Sequence, residues 1–396
     1  MRVRMGRKNN KRGVTKASPA LSETEVNFQF KLLSAIGIFI IVAGHCYRGG
    51  FSLMSNWFPN YTYNIALFVF ISGYFYKPKN DDRPFEYIAQ RAKRLVLPAY
   101  IWNIVYGLWA WFIRFGGFSF TAEVNAYNLF LMPFVDGEAF CFNLGSWFVY
   151  PLFAASAINV LLRWAIKRIK AVSDYLLLIL YLCAGMAAVY YSVFCPELNS
   201  GIFKLLLRTL FMLPFYQIGR LYREKWEKRD TLCSPLYFTV LFSVQLIILT
   251  FFKNLEFFPS SMTGFKNGMV LPFITAFTGI AFWLRISRIA APAINNRRIV
   301  SLIADNTYNI MIHHFFGFFC VKTFFYLQYN AFGWFSDVDW GQYFSVFWFY
   351  YLPKGITEYA VVYVAAGIAF SILVAKAGSF IWAVLKNKYQ ILKKRS

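Results

Sequence analysis

Apolar residues along this chain come in long unbroken runs, separated by short clusters rich in lysine and arginine. An α-helix rises about 1.5 Å per residue, so about 20 apolar residues cross a hydrocarbon core about 30 Å thick. Ten runs have that character: residues 28–47, 61–76, 95–115, 144–162, 173–194, 204–222, 233–252, 268–284, 299–326 and 356–385. The second is short and the last two are long, differences that tilt or an interfacial end absorbs.

The polar positions between the runs test this reading independently, because cytoplasmic loops collect Lys and Arg. With the N-terminus inside, the basic clusters at 77–94, 163–170, 220–229 and 285–298 and the tail from Lys386 all fall on one side. The loops of the other side hold Glu123, Asp136, Glu138, Glu197, Glu256, Asp337 and Asp339 with few cations. An odd number of spans breaks this alternation. The expected fold is therefore an all-α polytopic membrane protein, a bundle of about ten transmembrane helices with both termini cytoplasmic. Residues 1–27 read as a disordered basic arm, 28–385 as one transmembrane domain and 386–396 as a basic tail. The first run lacks a small-residue cleavage site after it and reads as an uncleaved anchor.

Composition agrees: 58% of the 396 residues are hydrophobic and 21% aromatic, well above a soluble globule, and the mean hydropathy is +0.45. The net charge of +23 is dispersed in loop clusters instead of one continuous patch, which argues for topology and against a nucleic-acid partner. The six cysteines show no CxxC or metal-ligand spacing, so no metal is expected and small-hydrophobe packing explains most of them. Cys141 and Cys195, both in predicted outer loops, are the one candidate pair for a disulfide. Two outer loops, 116–143 and 328–355, are longer than a connection requires, a feature of functional or interfacial segments. No inverted pair of Gly- or Pro-broken helices is present, which argues against a secondary transporter.

All three histidines, His45, His313 and His314, lie inside apolar runs, where an ionisable side chain is costly unless it faces a polar cavity or a partner. The 17 residues from Phe28 raise His45 about 26 Å along its helix, close to the outer face. An imidazole there can take a proton from a hydroxyl and return it to a leaving group. Asn309 and His313, four apart, share a helix face, so Asn309 can orient that ring. Arg91 and Arg94 fit either of two readings, bidentate phosphate binding or ordinary positive-inside residues. Trp147 and Tyr150 suit a sugar pocket or an interfacial aromatic belt. Ser72-Gly73 permits close helix approach, and Pro98 kinks the third span or marks its start.

The segments KLLSAIGIFIIVAGH ending at His45, FVFISGYF at 68–75, RAKRLVLPAY at 91–100, GSWFVYPLF at 145–153, IGRLYREK at 218–225 and DNTYNIMIHH at 305–314 together resemble membrane acyltransferase family 3. These are multi-span O-acyltransferases that decorate envelope and exported glycans. The resemblance implies ten core spans, a location in the bacterial inner membrane, and transfer of an acyl group, usually acetyl, from cytoplasmic acyl-coenzyme A to a sugar hydroxyl. The donor is a substrate, so no permanently bound cofactor is expected. His45 matches the family's first-span histidine, a general base or acyl relay, and His313 is taken as the second catalytic candidate. Arg91 and Arg94 match the basic pair at the inner face.

Two positions depart from the family pattern. Ser34 stands where many relatives carry an arginine, and Lys31, one turn lower, is the substitute expected to reach the donor's phosphate. Phe148, Val149 and Tyr150 follow Trp147 where relatives often have Trp followed by Glu, leaving Asp136, Glu138 or Glu358 as acids that could pair with His45. Trp147, Tyr150 and Asn309 are the expected acceptor-side residues. The expected partners are acyl-coenzyme A, a polysaccharide or lipid-linked glycan, membrane lipids and other glycan-assembly proteins. The alternative reading is a non-catalytic polysaccharide export protein or synthase scaffold of the same fold. The export reading predicts that His45→Ala leaves polymer modification unchanged while blocking export, and the scaffold reading that the protein lacks affinity for acetyl-coenzyme A.

Overall fold

The computed structural model describes residues 23–46, 54–137, 140–169 and 173–395. In chain order these form α1 (Glu23–Cys46), α2 (Asn60–Tyr74), α3 (Pro84–Arg114), α4 (Cys141–Arg168), α5 (Asp174–Phe194) and α6 (Gly201–Arg229). Then follow α7 (Ser234–Phe251), α8 (Leu271–Ala290), α9 (Arg298–Asp305), α10 (Thr307–Phe332) and α11 (Ala360–Arg395). Among the described residues, nine of these, all but α2 and α9, are long and apolar enough to cross a membrane. With α2 they account for the ten apolar runs, and the protein is an all-α polytopic membrane protein.

The fifteen residues of α2 make only about 22 Å of helix, yet it needs no lipid-facing length because it sits inside the bundle against α1, α6 and α8. Reciprocal glycines bring it onto α6. A Cβ on Gly73 would stand 1.9 Å from the Tyr216 carbonyl oxygen, and one on Gly219 would stand 2.0 Å from that of Phe70. Any side chain at either position separates the two backbones, the close approach expected of Ser72-Gly73.

Three local departures from the apolar pattern matter. The run 299–326 is broken at Asn306, whose φ of −110° and ψ of 12° are not helical; the first part becomes α9, with Ile299 exposed on it. The expected tail at 386–396 continues α11 in helical form as far as Arg395, and residues 1–22 of the expected N-terminal arm lie outside the described residues. In α3, residues Ala92–Val96 form a π turn closed by Leu97 N–H donating to the Ala92 carbonyl. Pro98 supplies the cause: having no N–H, it cannot bond the Arg94 carbonyl, and its ring clashes with the preceding turn, so the helix widens there.

Two large clusters of buried aromatic and aliphatic side chains make up the interior. One includes Leu67, Phe70 and Trp147 with residues of α5 to α8, and the other Phe142, Phe315 and Tyr363 around α10 and α11. They meet along α1 and the start of α4, which contribute to both: Leu33 and Ile40 to the first, Ile38 and Val42 to the second.

Candidate active site

A cavity of about 730 Å³ runs through this seam, lined by residues of α1, α2, α3, α4, α10 and the 257–260 segment. Its size is that of a small-molecule site. At one mouth stand Lys77, Lys79, Arg91 and Arg94; at the other end stand His45 and His314 with Tyr61, Asn64 and Trp147. Ile38, Ile41, Ile65, Phe68 and Leu152 form apolar wall between them.

The cations of the mouth differ from others on the same face of the bundle. Arg163 is paired with Asp174 at 3.0 Å, Arg220 with Glu224 at 2.8 Å, Arg288 with Asp230 at 3.0 Å, and Arg285 and Lys167 with Asp230 and Asp82. Among the described residues, Lys77, Lys79, Arg91 and Arg94 have no such carboxylate. Arg91 is held by Nη2 donating to Ser72 Oγ at 2.8 Å, and its Nε is buried without a partner among the described residues. Burial also pushes the Asp81 carboxyl above its ordinary range, against the opposing Tyr76 hydroxyl and Arg163 guanidinium. Unpaired guanidinium forks at a cavity mouth suit a phosphorylated ligand.

At the far end His45 Nδ1 and His314 Nε2 are 3.0 Å apart, and His314 Nδ1 is 2.8 Å from the Ile310 carbonyl oxygen. A carbonyl only accepts, so His314 Nδ1 carries the proton and its Nε2 is the lone-pair nitrogen. His45 Nδ1 must then donate to it. In the neutral pair this leaves His45 Nε2 unprotonated, the form a general base requires.

His45 occupies the last turn of α1, but the bundle rises well beyond it. The eighteen residues of α10 that follow His314, as far as Phe332, add about 27 Å past the pair, and Phe315 and Trp348 pack 4.9 and 6.3 Å from the His45 ring. The imidazole, expected close to the outer face, is half-buried beside a part of α10 well short of that helix's end.

The expected second histidine, His313, is not the one brought to His45. It is fully buried on the other side of α10, with Tyr106 Oη 2.7 Å from its Nδ1 and the Trp102 ring at 4.3 Å. Consecutive helical residues point about 100° apart, so only one of the two can face the seam. Asn309, expected to orient His313, is replaced in that role by Tyr106. Lys31 is also placed differently: it pairs with Asp305 at 2.8 Å, tying α1 to α9, and does not line the cavity. Trp147 lines it, with the buried Arg208 guanidinium 5.0 Å from its ring, whereas Tyr150 is buried beside Phe134 away from it.

No acid takes the place beside His45 among the described residues. Asp136 accepts from the Gly201 N–H and lies near Lys204, Glu358 accepts from Thr357, and Glu138 falls outside the described residues. The partner is His314 instead. The six cysteines are free, including the candidate pair Cys141 and Cys195. Tyr308, not singled out from sequence, lines the cavity and donates to the Leu95 carbonyl at 2.6 Å within the π turn; that turn exists because of Pro98, which was visible in the sequence.

A family model described as an acyltransferase domain, family 3, matches residues 28–376. No curated protein and no solved structure matches.

Proposed function

We propose, from the premise that the chain belongs to this acyltransferase family and is a membrane acyltransferase, that it moves acetyl from acetyl-coenzyme A to a hydroxyl of an exported or lipid-linked polysaccharide. The observation that carries this reading is one continuous cavity whose walls include Arg91 and Arg94, without carboxylate partners among the described residues, at one mouth and the His45–His314 pair at the other end. The phosphates of coenzyme A bind at the arginines, on the face taken as cytoplasmic because the cations gather there, and the thioester extends along the apolar wall toward His45. The acceptor hydroxyl approaches from the opposite side, where Trp147 offers an aromatic face to a sugar ring.

In the reaction His45 Nε2 removes the hydroxyl proton as the oxygen adds to the thioester carbonyl. The resulting imidazolium is stabilised through Nδ1–H by His314, itself held by the Ile310 carbonyl. When the tetrahedral adduct collapses the C–S bond breaks, and the sulfur takes the proton back from His45, giving free coenzyme A and the acetyl ester. His45 is therefore the catalytic base and His314 a positioning residue.

The test is mass analysis of the surface glycan from cells lacking this protein, complemented by wild type or by His45→Ala. The expected result is an acetyl ester lost in the deletion, restored by wild type and not by the variant. Unaltered acetylation in the deletion strain refutes the proposed substrate.

A further inference from the structure

A thioester attacked beside His45 develops negative charge on its carbonyl oxygen, and in most acyl transfers a fixed donor aimed at that oxygen supplies a large part of the rate. The bundle holds one amide at the right level. Tyr61, at the start of α2, donates to the Gly44 carbonyl at 2.8 Å, fixing the first turn of α2 beside the last turn of α1. Asn64 lies three residues further on, hence on the same face of α2 and about 4.5 Å deeper along its axis. That displacement is toward the arginine mouth, because α2 runs back to that face. Asn64 thus borders the part of the cavity that an acyl group crosses on its way from the phosphates to His45.

The orientation of its carboxamide is settled by its neighbours. Asn64 Oδ1 receives the Ile65 N–H at 2.7 Å, and since an N–H only donates, the atom it meets is the carbonyl oxygen and not the amide nitrogen. Asn64 Nδ2 has no acceptor among the described residues. The residue is only 8% exposed yet lines the cavity, among apolar walls that strengthen any hydrogen bond formed there. The carboxamide is thus anchored by its oxygen and presents its nitrogen as a free donor.

We infer that the Asn64 Nδ2–H group donates to the thioester carbonyl oxygen and stabilises the oxyanion, an inference that rests on the acyltransferase reading. As the acceptor oxygen adds, the carbonyl π pair moves onto the oxygen held by Asn64 while the hydroxyl proton passes to His45. On collapse that pair re-forms the C=O bond and expels the thiolate, which takes the proton from His45.

The experiment uses membrane vesicles from the source cells, which carry their own acceptor, with the chain deleted or restored as wild type, Asn64→Ala or Asn64→Asp. Acetyl-coenzyme A is added and free thiol release is followed, with coenzyme A affinity measured on each purified full-length protein. Expected for Asn64→Ala is a kcat lower by about 10²- to 10³-fold with coenzyme A affinity unchanged. Asn64→Asp, of the same shape but with an anion facing the developing charge, falls at least as far. Either variant turning over within about threefold of wild type, or a loss in both that only mirrors lost coenzyme A affinity, overturns the inference. Wild-type vesicles that release no more thiol than the deletion, from a protein without coenzyme A affinity, overturn the acyltransfer reading itself, so the two failures are told apart.

Discussion

Replacing His314 with alanine takes away the lone pair to which His45 Nδ1 donates at 3.0 Å. A buried donor left without its partner costs about 1–3 kcal/mol, and here the cost falls on the one tautomer and ring orientation that leave Nε2 free to act. Carried fully into the barrier, this lowers kcat by about 5- to 160-fold, with little change in KM for the acyl donor, because the arginine mouth is untouched. His314→Gln keeps an acceptor in its side-chain carbonyl oxygen and should recover much of the loss. His313→Ala is the control: it empties space beside Trp102 and leaves Tyr106 without its partner, so it should lower the melting temperature while the folded protein keeps its rate. The assay is acetyl-coenzyme A-dependent thiol release by membrane vesicles, normalised to folded protein from fluorescence-detected gel filtration. An alanine at 314 that turns over like wild type refutes the tautomer argument; so does an alanine at 313 that costs as much rate as one at 314.

The mouth offers a second contrast: Arg91→Ala or Arg94→Ala should weaken coenzyme A binding by about 10- to 150-fold, as expected for losing a charge-assisted hydrogen bond, whereas Lys31→Ala, which breaks only the Asp305 pair, should leave it unchanged. Calorimetric titration of the purified protein measures both, and a larger loss at Lys31 than at the arginines contradicts the placement. Gly73→Ala forces a methyl to within 1.9 Å of the Tyr216 carbonyl oxygen, where both partners are backbone and neither can rotate aside. The loss should reach the upper part of the overpacking range, about 3 kcal/mol, and an unaltered melting temperature in detergent argues against backbone contact between α2 and α6.

The helices were legible because their cause is local: a run of apolar residues must be long to span lipid, and α1, α5 and α7 follow their runs closely. The break at Asn306 falls in a short polar step, Asp305-Asn306-Thr307, and the π turn before Pro98 begins in the basic cluster at Lys93 and Arg94, so a count of apolar residues registers polarity there but not the change of backbone. His45 stood out as an ionisable residue inside an apolar run, Arg91 and Arg94 gained a role through resemblance, and the choice between His313 and His314 was beyond both. Which of the two adjacent imidazoles meets α1 depends on the rotation of α10, set by contacts such as Gly317 against Gly367 that lie far apart in the chain. The pairing of Asn309 with His313 respected helix geometry and still failed, because Tyr106 reaches the ring from a different helix. The same distance in sequence hides the separation of paired from unpaired cations: Arg285 and Asp230, or Lys167 and Asp82, become neighbours only on folding.

The Ile310 carbonyl that receives the His314 proton can hold a hydrogen bond but cannot itself be protonated and pass charge onward. In the proposed reaction the two imidazoles are therefore a dead-end store with room for one extra proton, filled when the acceptor is deprotonated and emptied when the thiol leaves. A proton taken up there leaves by the way it came, because the path through His314 ends on that carbonyl. By that mechanism each turnover returns the pair to its starting charge, and the membrane potential has no lever on the chemical step through it.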